Sequence, residues 1–370
     1  MPHLPGLDLL RSIAIVWVML FHSFLVDGLG PRFEWLSRFG WAGVDIFFVL
    51  SGFLIGSQLL RTLQRGEPLR LGSFYGRRAW RILPAFAVVL AVYVAFPVLR
   101  EAPGLDAWWK FATFTLNLLI DYGRNPAFSH AWSLCVEEHF YLLFPLLAWW
   151  ATRRASAARF AALCLGLVLA GIALRTGVWL HDDATQPPRP WFIEDLYYPT
   201  WMRLDGLLVG VMLAALRVYR PLWWEKLLAR STPLMLCGFA VAALALWLFR
   251  DRTGLLANAI GWPILSLGFG LLVLSASSPQ GLLGRRAVPG AGWVAAASYS
   301  LYLSHKLVMH AWLAPALPLP LQGVALFALH AVAILAVGAA LHHGVERPCL
   351  RLRDRLAKRQ AAATPSAITV

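Results

Sequence analysis

His22 and Arg11 lie on the first long apolar segment of the chain, where ionisable side chains are uncommon. The imidazole of histidine titrates near neutral pH and can act as a general base, whereas the guanidinium of arginine matches phosphate oxygens. Eleven positions separate the two residues, which on a helix is about 20° of rotation and about 16 Å of rise. They therefore share one helix face without touching, and only a long molecule would contact both.

A second group of candidates is the arginine patch, which consists of Arg77, Arg78 and Arg81. Spacings of three and four put Arg77 and Arg78 on either side of Arg81, so a helix there presents one cluster of guanidinium groups. Such a cluster suits phosphate oxygens, and we group Arg11 with it. The competing interpretation is ordinary anchoring of a membrane helix by arginines on its cytoplasmic side.

Carboxylates and further cations occur inside other apolar segments of the chain. A charge at the bilayer centre costs roughly 2.5–3.5 kcal/mol on insertion scales, so such residues indicate an internal polar site. Glu137 is the first candidate to orient or charge-balance His22, and Asp45 is the second. Helix capping is the competing interpretation for Glu137, because acidic residues favour helix N-termini. The other candidates for this polar site are Glu138, Arg203, Asp205, Tyr302 and His305.

The elements that must position these residues are apolar helices. The chain has 370 residues, of which 59% are hydrophobic and 14% charged, well below the roughly 25% charged residues of soluble domains. Helices that cross about 30 Å of hydrocarbon are predicted at ten segments. These lie near 9–29, 40–60, 82–98, 132–151, 158–180, 200–216, 233–249, 256–276, 293–314 and 321–343.

The sequence thus predicts an all-α, polytopic integral membrane protein with about ten transmembrane helices around a central polar cavity. The segment 111–120 is too short to span and would pack at an interface or re-enter. Gly206 and Gly210, four positions apart, predict a close helix contact. Residues 1–350 would form a single transmembrane domain, and residues 351–370 a basic cytoplasmic tail without order.

The net charge of +14 is distributed as expected for a membrane protein. One alternate set of loops contains 21 Lys and Arg residues, and the opposite set contains eight. Both termini are therefore predicted to be cytoplasmic, consistent with an even number of spans. Because the basic residues cluster in short loops between apolar segments, their placement argues against a nucleic-acid partner.

With this orientation, the predicted helices can be aligned by depth. His22, Asp45, Glu137, Arg203 and His305 all fall in the outer half of their segments. The arginine patch falls in the inner layer. The alignment predicts one pocket that opens toward the outside. The four cysteines have no Cys-x-x-Cys pair and no histidine at ligand spacing, so we predict no metal site.

Seven blocks of this sequence resemble, in order, the membrane-bound acyltransferase family 3. The first is LDLLRSIAIVWVMLFHS, in which an arginine precedes a histidine by eleven positions, as in the family's opening motif. The others are GWAGVDIFFVLSGFLI, FYGRRAWRILPAF, AWSLCVEEHFYLLFPLL, RLDGLLVG, SYSLYLSHKLV and VERP. His139 stands where Gln is usual and Cys135 where Ser is common, and neither position belongs to the core motifs.

The resemblance implies transfer of an acyl group, commonly acetyl, from cytoplasmic acyl-CoA to a hydroxyl of a glycan or related acceptor, often extracytoplasmic. It implies that His22 is the catalytic histidine, that Arg11 is its motif partner, and that Arg78 and Arg81 are the family's Arg-x-x-Arg pair. The arginine patch would then hold the phosphates of acyl-CoA while the pantetheine arm reaches His22. His22 would act as general base, or would be transiently acylated.

On this hypothesis, the remaining candidates line the acceptor pocket: Glu138, Arg203, Asp205, Tyr302 and His305. The protein would lie in the inner or plasma membrane and O-acetylate a cell-envelope polysaccharide, with acetyl-CoA as donor. Exopolysaccharide, O-antigen, periplasmic glucan or a secreted small molecule all fit as acceptors.

Two other functions compete with this one. Intramembrane charges also fit a transporter or flippase of a polar lipid or glycan, although the sequence lacks the paired broken helices that transporters often have. A different multi-span acyltransferase family would instead have its catalytic histidine late in the chain, near His305.

Overall fold

The computed structural model describes residues 4–23, 28–152, 157–311 and 323–363. These residues form fifteen α-helices joined by short 3₁₀ and π-helical turns. The helices are α1 (Pro5–His22), α2 (Glu34–Ser37), α3 (Gly43–Gln64), α4 (Leu71–Ala95), α5 (Trp108–Ala112), α6 (Leu116–Leu119), α7 (Trp132–Thr152), α8 (Ala157–Thr185), α9 (Asp205–Tyr219), α10 (Pro221–Leu228), α11 (Ser231–Leu248), α12 (Trp262–Ala276), α13 (Ala291–Ala311), α14 (Gly323–Leu341) and α15 (Arg347–Ala363). The prediction of an all-α protein is confirmed.

Seven helical stretches within the described residues are long and apolar enough to cross a membrane. They are Pro5–His22, Glu34–Gln64, Leu71–Ala95, Phe160–Thr185, Ser231–Leu248, Ala257–Ala276 and Gly323–Arg359. An eighth results if α9 and α10, which meet at an angle of 111°, form one broken span. α7 and α13 coincide with the two remaining predicted segments. They carry polar residues such as Glu137 and Lys306, which lower their hydropathy.

Among the described helices, α3 and α9 make the most extensive contact, and it depends on glycine. A Cβ atom on Gly52 would overlap the backbone of Leu207, and one on Gly210 would overlap the backbone of Val49. Gly206 likewise lies against Phe48. Small residues allow two helix backbones to approach this closely, so the predicted close packing at Gly206 and Gly210 is confirmed.

Five helices contribute side chains to one interior pocket. α1 packs against α3 and α13, and α3 also packs against α7. α4 completes the group through contacts with α7 and α13. α1 carries both Arg11 and His22. This arrangement therefore places residues from distant parts of the sequence next to the helix that carries both candidates.

Two further expectations concern segments outside the long helices. Residues 111–120 contain the last two residues of α5 and the whole of the four-residue helix α6, as expected for a segment too short to span. Disorder was expected after residue 350, but the chain is helical as far as Ala363, where α15 ends. Arg, Leu, Ala and Lys dominate this stretch, and all are strong helix formers. Residues 364–370 lie outside the described part of the chain.

Candidate active site

A pocket of about 290 Å³ lies among α1, α3, α4, α7 and α13. Three arginines line it, Arg11, Arg78 and Arg81, together with two carboxylates, Glu137 and Glu138. Its other polar lining residues are Ser51, Ser133, Ser298, Tyr141, Tyr299 and Tyr302. The structure therefore brings together six residues that the sequence selected, namely these five charged residues and Tyr302.

Glu137 is held within this pocket by hydroxyl groups. Ser51 Oγ donates a hydrogen bond to Glu137 Oε1 at 2.6 Å, and Tyr141 OH donates to Glu137 Oε2 at 3.4 Å. The guanidinium of Arg78 lies 5.0 Å from the centre of the Tyr141 ring. Glu137 is five residues into α7, about 7.5 Å from its start, and it faces the arginines of the pocket. Its expected role in orienting His22 stays a prediction.

His22 forms its hydrogen bond with His305 instead. His22 ends α1 and is half-buried, and its Nδ1 lies 3.0 Å from His305 Nε2. His305 Nδ1 lies 2.7 Å from the carbonyl oxygen of Tyr302. A carbonyl only accepts hydrogen bonds, so His305 Nδ1 carries a proton and, in the neutral ring, His305 Nε2 accepts from His22 Nδ1–H. This leaves His22 Nε2 unprotonated, as a base requires.

A third histidine completes the histidine cluster, which we define as His22, His130 and His305. The His130 ring centre is 5.1 Å from that of His305 and 6.4 Å from that of His22. Glu101 Oε1 lies 4.0 Å from His130 Nδ1 and 3.5 Å from Lys306 Nζ. His130 Nδ1 and Glu101 Oε2 are buried and have no hydrogen-bond partner among the described residues.

Sequence reasoning missed His130 and Glu101. His130 is two residues before α7 and directly precedes the AWSLCVEEH block, so its position next to a polar motif was an available signal. Glu101 lies in the connection after α4, where charged residues are ordinary, and nothing in the sequence distinguishes it. No group of His, Cys, Asp and Glu side chains within the described ranges is arranged as metal ligands.

Tyr302 links the pocket to the histidine cluster. Its hydroxyl donates to the carbonyl of His130 at 2.7 Å and lies 2.6 Å from Ser133 Oγ. Its ring centre is 5.7 Å from that of His305, which in turn is 4.8 Å from that of His22. His22 does not itself line the pocket. Tyr302 therefore connects the lining of the pocket to His22 through two ring contacts.

Three candidates of the outer layer lie in a separate group, the paired cluster, formed by Arg203 with Asp45 and by Arg175 with Asp205. Each pair has a nitrogen–oxygen distance of 2.8 Å, and all four side chains are at most 4% exposed. The Arg203 guanidinium also lies 3.7 Å from the ring centre of Trp262. Alignment by depth did not separate this cluster from the pocket, because depth leaves the direction of a side chain around its helix undetermined.

The pairing neutralises each of these buried charges, as low-dielectric surroundings require. Arg175 is fully buried in α8, and the sequence analysis did not select it. It carries the same signal that selected the others, a charge within an apolar segment. The catalytic role of Asp45 and the acceptor-binding roles of Arg203 and Asp205 stay predictions.

Arg77 departs from the rest of the arginine patch. Its guanidinium bonds to Ser73 Oγ, and it lines a separate groove together with Arg70. Adjacent residues of an α-helix point about 100° apart, so Arg77 and Arg78 face different spaces. Of the four predicted phosphate-binding residues, the structure brings Arg11, Arg78 and Arg81 together and leaves Arg77 outside the pocket.

Comparison with known proteins identifies relatives across most of this chain. The family model described as "Acyltransferase domain", that of acyltransferase family 3, matches residues 4–343. O-acetyltransferase OatA of Staphylococcus aureus (strain NCTC 8325 / PS 47) is 28% identical over 323 residues, which are 82% of this chain and 50% of that protein. Peptidoglycan O-acetyltransferase OatA of Listeria monocytogenes is 31% identical over 234 residues, which are 57% of this chain and 34% of that protein.

The chain thus spans half or less of the length of these curated relatives. No solved structure matches it.

Proposed function

Since the chain belongs to the acyltransferase family whose model matches residues 4–343, we propose that it moves an acetyl group from acyl-CoA to a hydroxyl of a cell-envelope glycan. Its relatives are O-acetyltransferases, and the family match disfavours the transporter or flippase. The observation that carries the proposal is the pocket of arginines and carboxylates, whose lining residue Tyr302 contacts His305 of the His22–His305 pair.

The donor would enter at the arginine end of α1. Arg11, Arg78 and Arg81 line the pocket there, and their positive charge would attract an anionic donor to this end of the site. In the proposed topology, α7, α13 and the broken α9–α10 pair complete ten spans around a central polar cavity. Both termini, and therefore the arginine end, face the cytoplasm, where acyl-CoA is available.

His22 would act as the general base. Its Nε2 takes the proton of the acceptor hydroxyl while the hydroxyl oxygen attacks the thioester carbonyl. The carbon–sulfur bond then breaks, and the departing thiolate takes the proton back from the imidazolium. His22 is half-buried, and the acceptor hydroxyl would have to reach Nε2, the ring nitrogen that His305 does not contact. Acylation of Nε2 itself is the alternative route.

His305 would be a positioning residue in this reaction. By accepting from His22 Nδ1–H, it keeps the proton off Nε2 and fixes the direction of the ring. Tyr302 holds His305 through its carbonyl and bounds the donor pocket with its side chain. The thioester carbonyl therefore has to pass the Tyr302 ring to meet the acceptor at His22.

The acceptor is proposed to be a glycan hydroxyl outside the membrane. Peptidoglycan is the first candidate, because the Listeria relative is named for it. Of the predicted acceptor residues, His305 belongs to the histidine cluster and Tyr302 contacts it. They would form the acceptor side, with Glu101 and Lys306 as further polar neighbours.

The test uses purified full-length protein in nanodiscs, with labelled acetyl-CoA and peptidoglycan fragments. An acyltransferase releases free CoA and labels the glycan, whereas a carrier leaves the thioester intact. His22→Ala should lower turnover by about 10²–10⁴-fold, the usual contribution of a general base. His181→Ala is the matched control, since His181 is exposed on α8. Unchanged turnover in folded His22→Ala protein would reject the base assignment.

A further inference from the structure

A groove next to the pocket carries two cations, Arg61 and Arg65, that belong neither to the pocket nor to the paired cluster. We name it the arginine groove; its volume is about 470 Å³. It is lined by Leu54, Ile55, Gln58, Arg61, Thr62, Arg65 and Arg78. Leu54, Ile55 and Arg78 also line the pocket. The two spaces therefore meet at Arg78.

The arginine groove has an excess of positive charge. Arg61 lies in the last turn of α3, and Arg65 caps the C-terminus of that helix, four residues and about 6 Å further along its axis. Among the described residues, no acidic side chain lines the groove. Arg65 lies 3.6 Å from Glu67, but both side chains are more than half exposed. Such an exposed pair contributes at most about 1 kcal/mol and leaves the arginine available to a ligand.

A neighbouring helix adds to this charge. Arg217 of α9 interacts electrostatically with Arg61, and its Nη1 has no hydrogen-bond partner in the described structure. Two like charges close together destabilise a protein unless an anion lies near both. Arg217 does not itself line the arginine groove and lies against the rings of Phe53 and Trp224, so its contribution is to raise the positive potential near Arg61.

The pocket offers a less favourable place for phosphate. Its three arginines face two carboxylates, Glu137 and Glu138, and a phosphate placed among them would meet both. The uncharged part of a ligand fits the pocket, and its phosphates fit the arginine groove. A second groove of about 530 Å³, which contains Arg70 and Arg77, shares Gln58 and Thr62 with the first and extends the cationic surface.

We propose that Arg61 and Arg65 bind the phosphate groups of the acyl-CoA nucleotide. The pantetheine arm then passes Arg78 and lies in the pocket, with its acyl group toward Tyr302. Guanidinium groups bind phosphate oxygens through paired hydrogen bonds, and two of them on adjacent helical turns match a diphosphate. This inference rests on the proposed function and extends it to residues outside the arginine patch.

The test measures the affinity of CoA, which binds without transferring, by titration calorimetry. The protein is the full chain in nanodiscs of phosphatidylcholine. The double variant Arg61→Gln/Arg65→Gln is compared with Arg285→Gln/Arg286→Gln, which removes the same charge. Arg285 and Arg286 are exposed. The residue before them, Gly284, lies against Ala276, and Gly6 at the start of α1 lies against Ala276 as well. The control therefore lies at the same end of the bundle.

CoA should bind at least about tenfold more weakly to the groove variant and unchanged to the control. Pantetheine, which lacks the nucleotide and its phosphates, should bind the groove variant as it binds the wild type. Arg61→Lys/Arg65→Lys, which keeps the charge, should recover part of the affinity. Equal thermal unfolding temperatures would exclude misfolding as the cause.

Three results would overturn the inference. Equal CoA affinity in the groove variant and the wild type would show that the arginines do not touch the donor. A loss that appears only in nanodiscs containing phosphatidylglycerol would assign the groove to lipid headgroup phosphates instead. Failure of the wild type to bind CoA at all would overturn the proposed donor, and this inference with it.

Discussion

Two groups of charged residues lie inside the helical part of this chain, and they differ in whether their charges are directly paired. In the paired cluster, Arg203 bonds Asp45 and Arg175 bonds Asp205, and all four side chains are at most 4% exposed. In the pocket, arginines and carboxylates surround about 290 Å³ of space. A charge in an apolar helix therefore marks either kind of site, and pairing separates them.

The difference follows from the surroundings of the two groups. Arg203 lies between α3 and α9 under aromatic rings such as Trp262, where an unpaired charge would be very costly. The pocket charges border a space large enough for part of a ligand, so the opposite charge that balances them can come from a bound molecule. The paired cluster is closed, and the pocket is open to a partner.

The largest expected effect is on the paired cluster. Arg203→Met leaves Asp45 buried without its partner, which should cost about 3–5 kcal/mol of unfolding free energy. The amount of folded protein in the membrane and its thermal unfolding temperature would both fall. The double variant Arg203→Met/Asp45→Leu removes both charges and should recover most of the loss. If the double variant is folded but inactive, the cluster contributes to catalysis and the comparison fails.

A smaller effect is expected when a pocket charge is removed. Arg78→Gln should weaken CoA binding by about 10–100-fold, because a hydrogen bond to a charged group contributes about 1.5–3 kcal/mol. The unfolding temperature should stay close to that of the wild type, since Arg78 borders the open pocket. A CoA affinity equal to that of the wild type would indicate that Arg78 anchors its helix in the membrane and does not bind the donor.

His305 should affect rate without affecting donor binding. His305→Leu removes the acceptor of His22 Nδ1–H and should lower kcat about tenfold, or about 1.4 kcal/mol, with KM for acetyl-CoA unchanged. His305→Gln should retain most of the rate, because its amide oxygen can accept the same hydrogen bond. Equal rates in the Leu and Gln variants would contradict a positioning role.

The smallest effect is expected at Tyr302. Tyr302→Phe keeps the ring at the end of the pocket but loses the hydrogen bonds to His130 and Ser133. The loss should be about 0.5–1.5 kcal/mol of unfolding free energy, measured by thermal unfolding, with CoA affinity unchanged. A large drop in CoA affinity would show that the hydroxyl itself contacts the donor.

Much of the site could be read from spacing along single helices. Arg11 and His22 share a face of α1 because eleven residues bring a helix back to nearly the same direction. Arg78 and Arg81 share a face of α4 because residues three apart are neighbours on a helix surface. Both line the pocket with Arg11. Arg77 could not be assigned in this way, since its position between two faces depends on where α3 packs.

Contacts between helices could not be read in the same way. Position along a helix gives the depth of a residue, but the neighbours of its side chain depend on which helices pack together. Glu137 and His22 were aligned by depth, yet Glu137 bonds Ser51 of α3. His305, 283 residues from His22 in the sequence, is the actual partner of that histidine.

The sequence by itself determined the helices, the residues that carry charge into them, and the family, because apolar length, periodicity and ordered motifs are local properties. Tertiary structure decided which charges pair, since Gly52 and Gly210 let α3 and α9 approach closely enough for Asp45 to reach Arg203. It also placed Tyr302 between the pocket and the histidine cluster. These outcomes depend on the lateral order of the helices, which hydropathy does not encode.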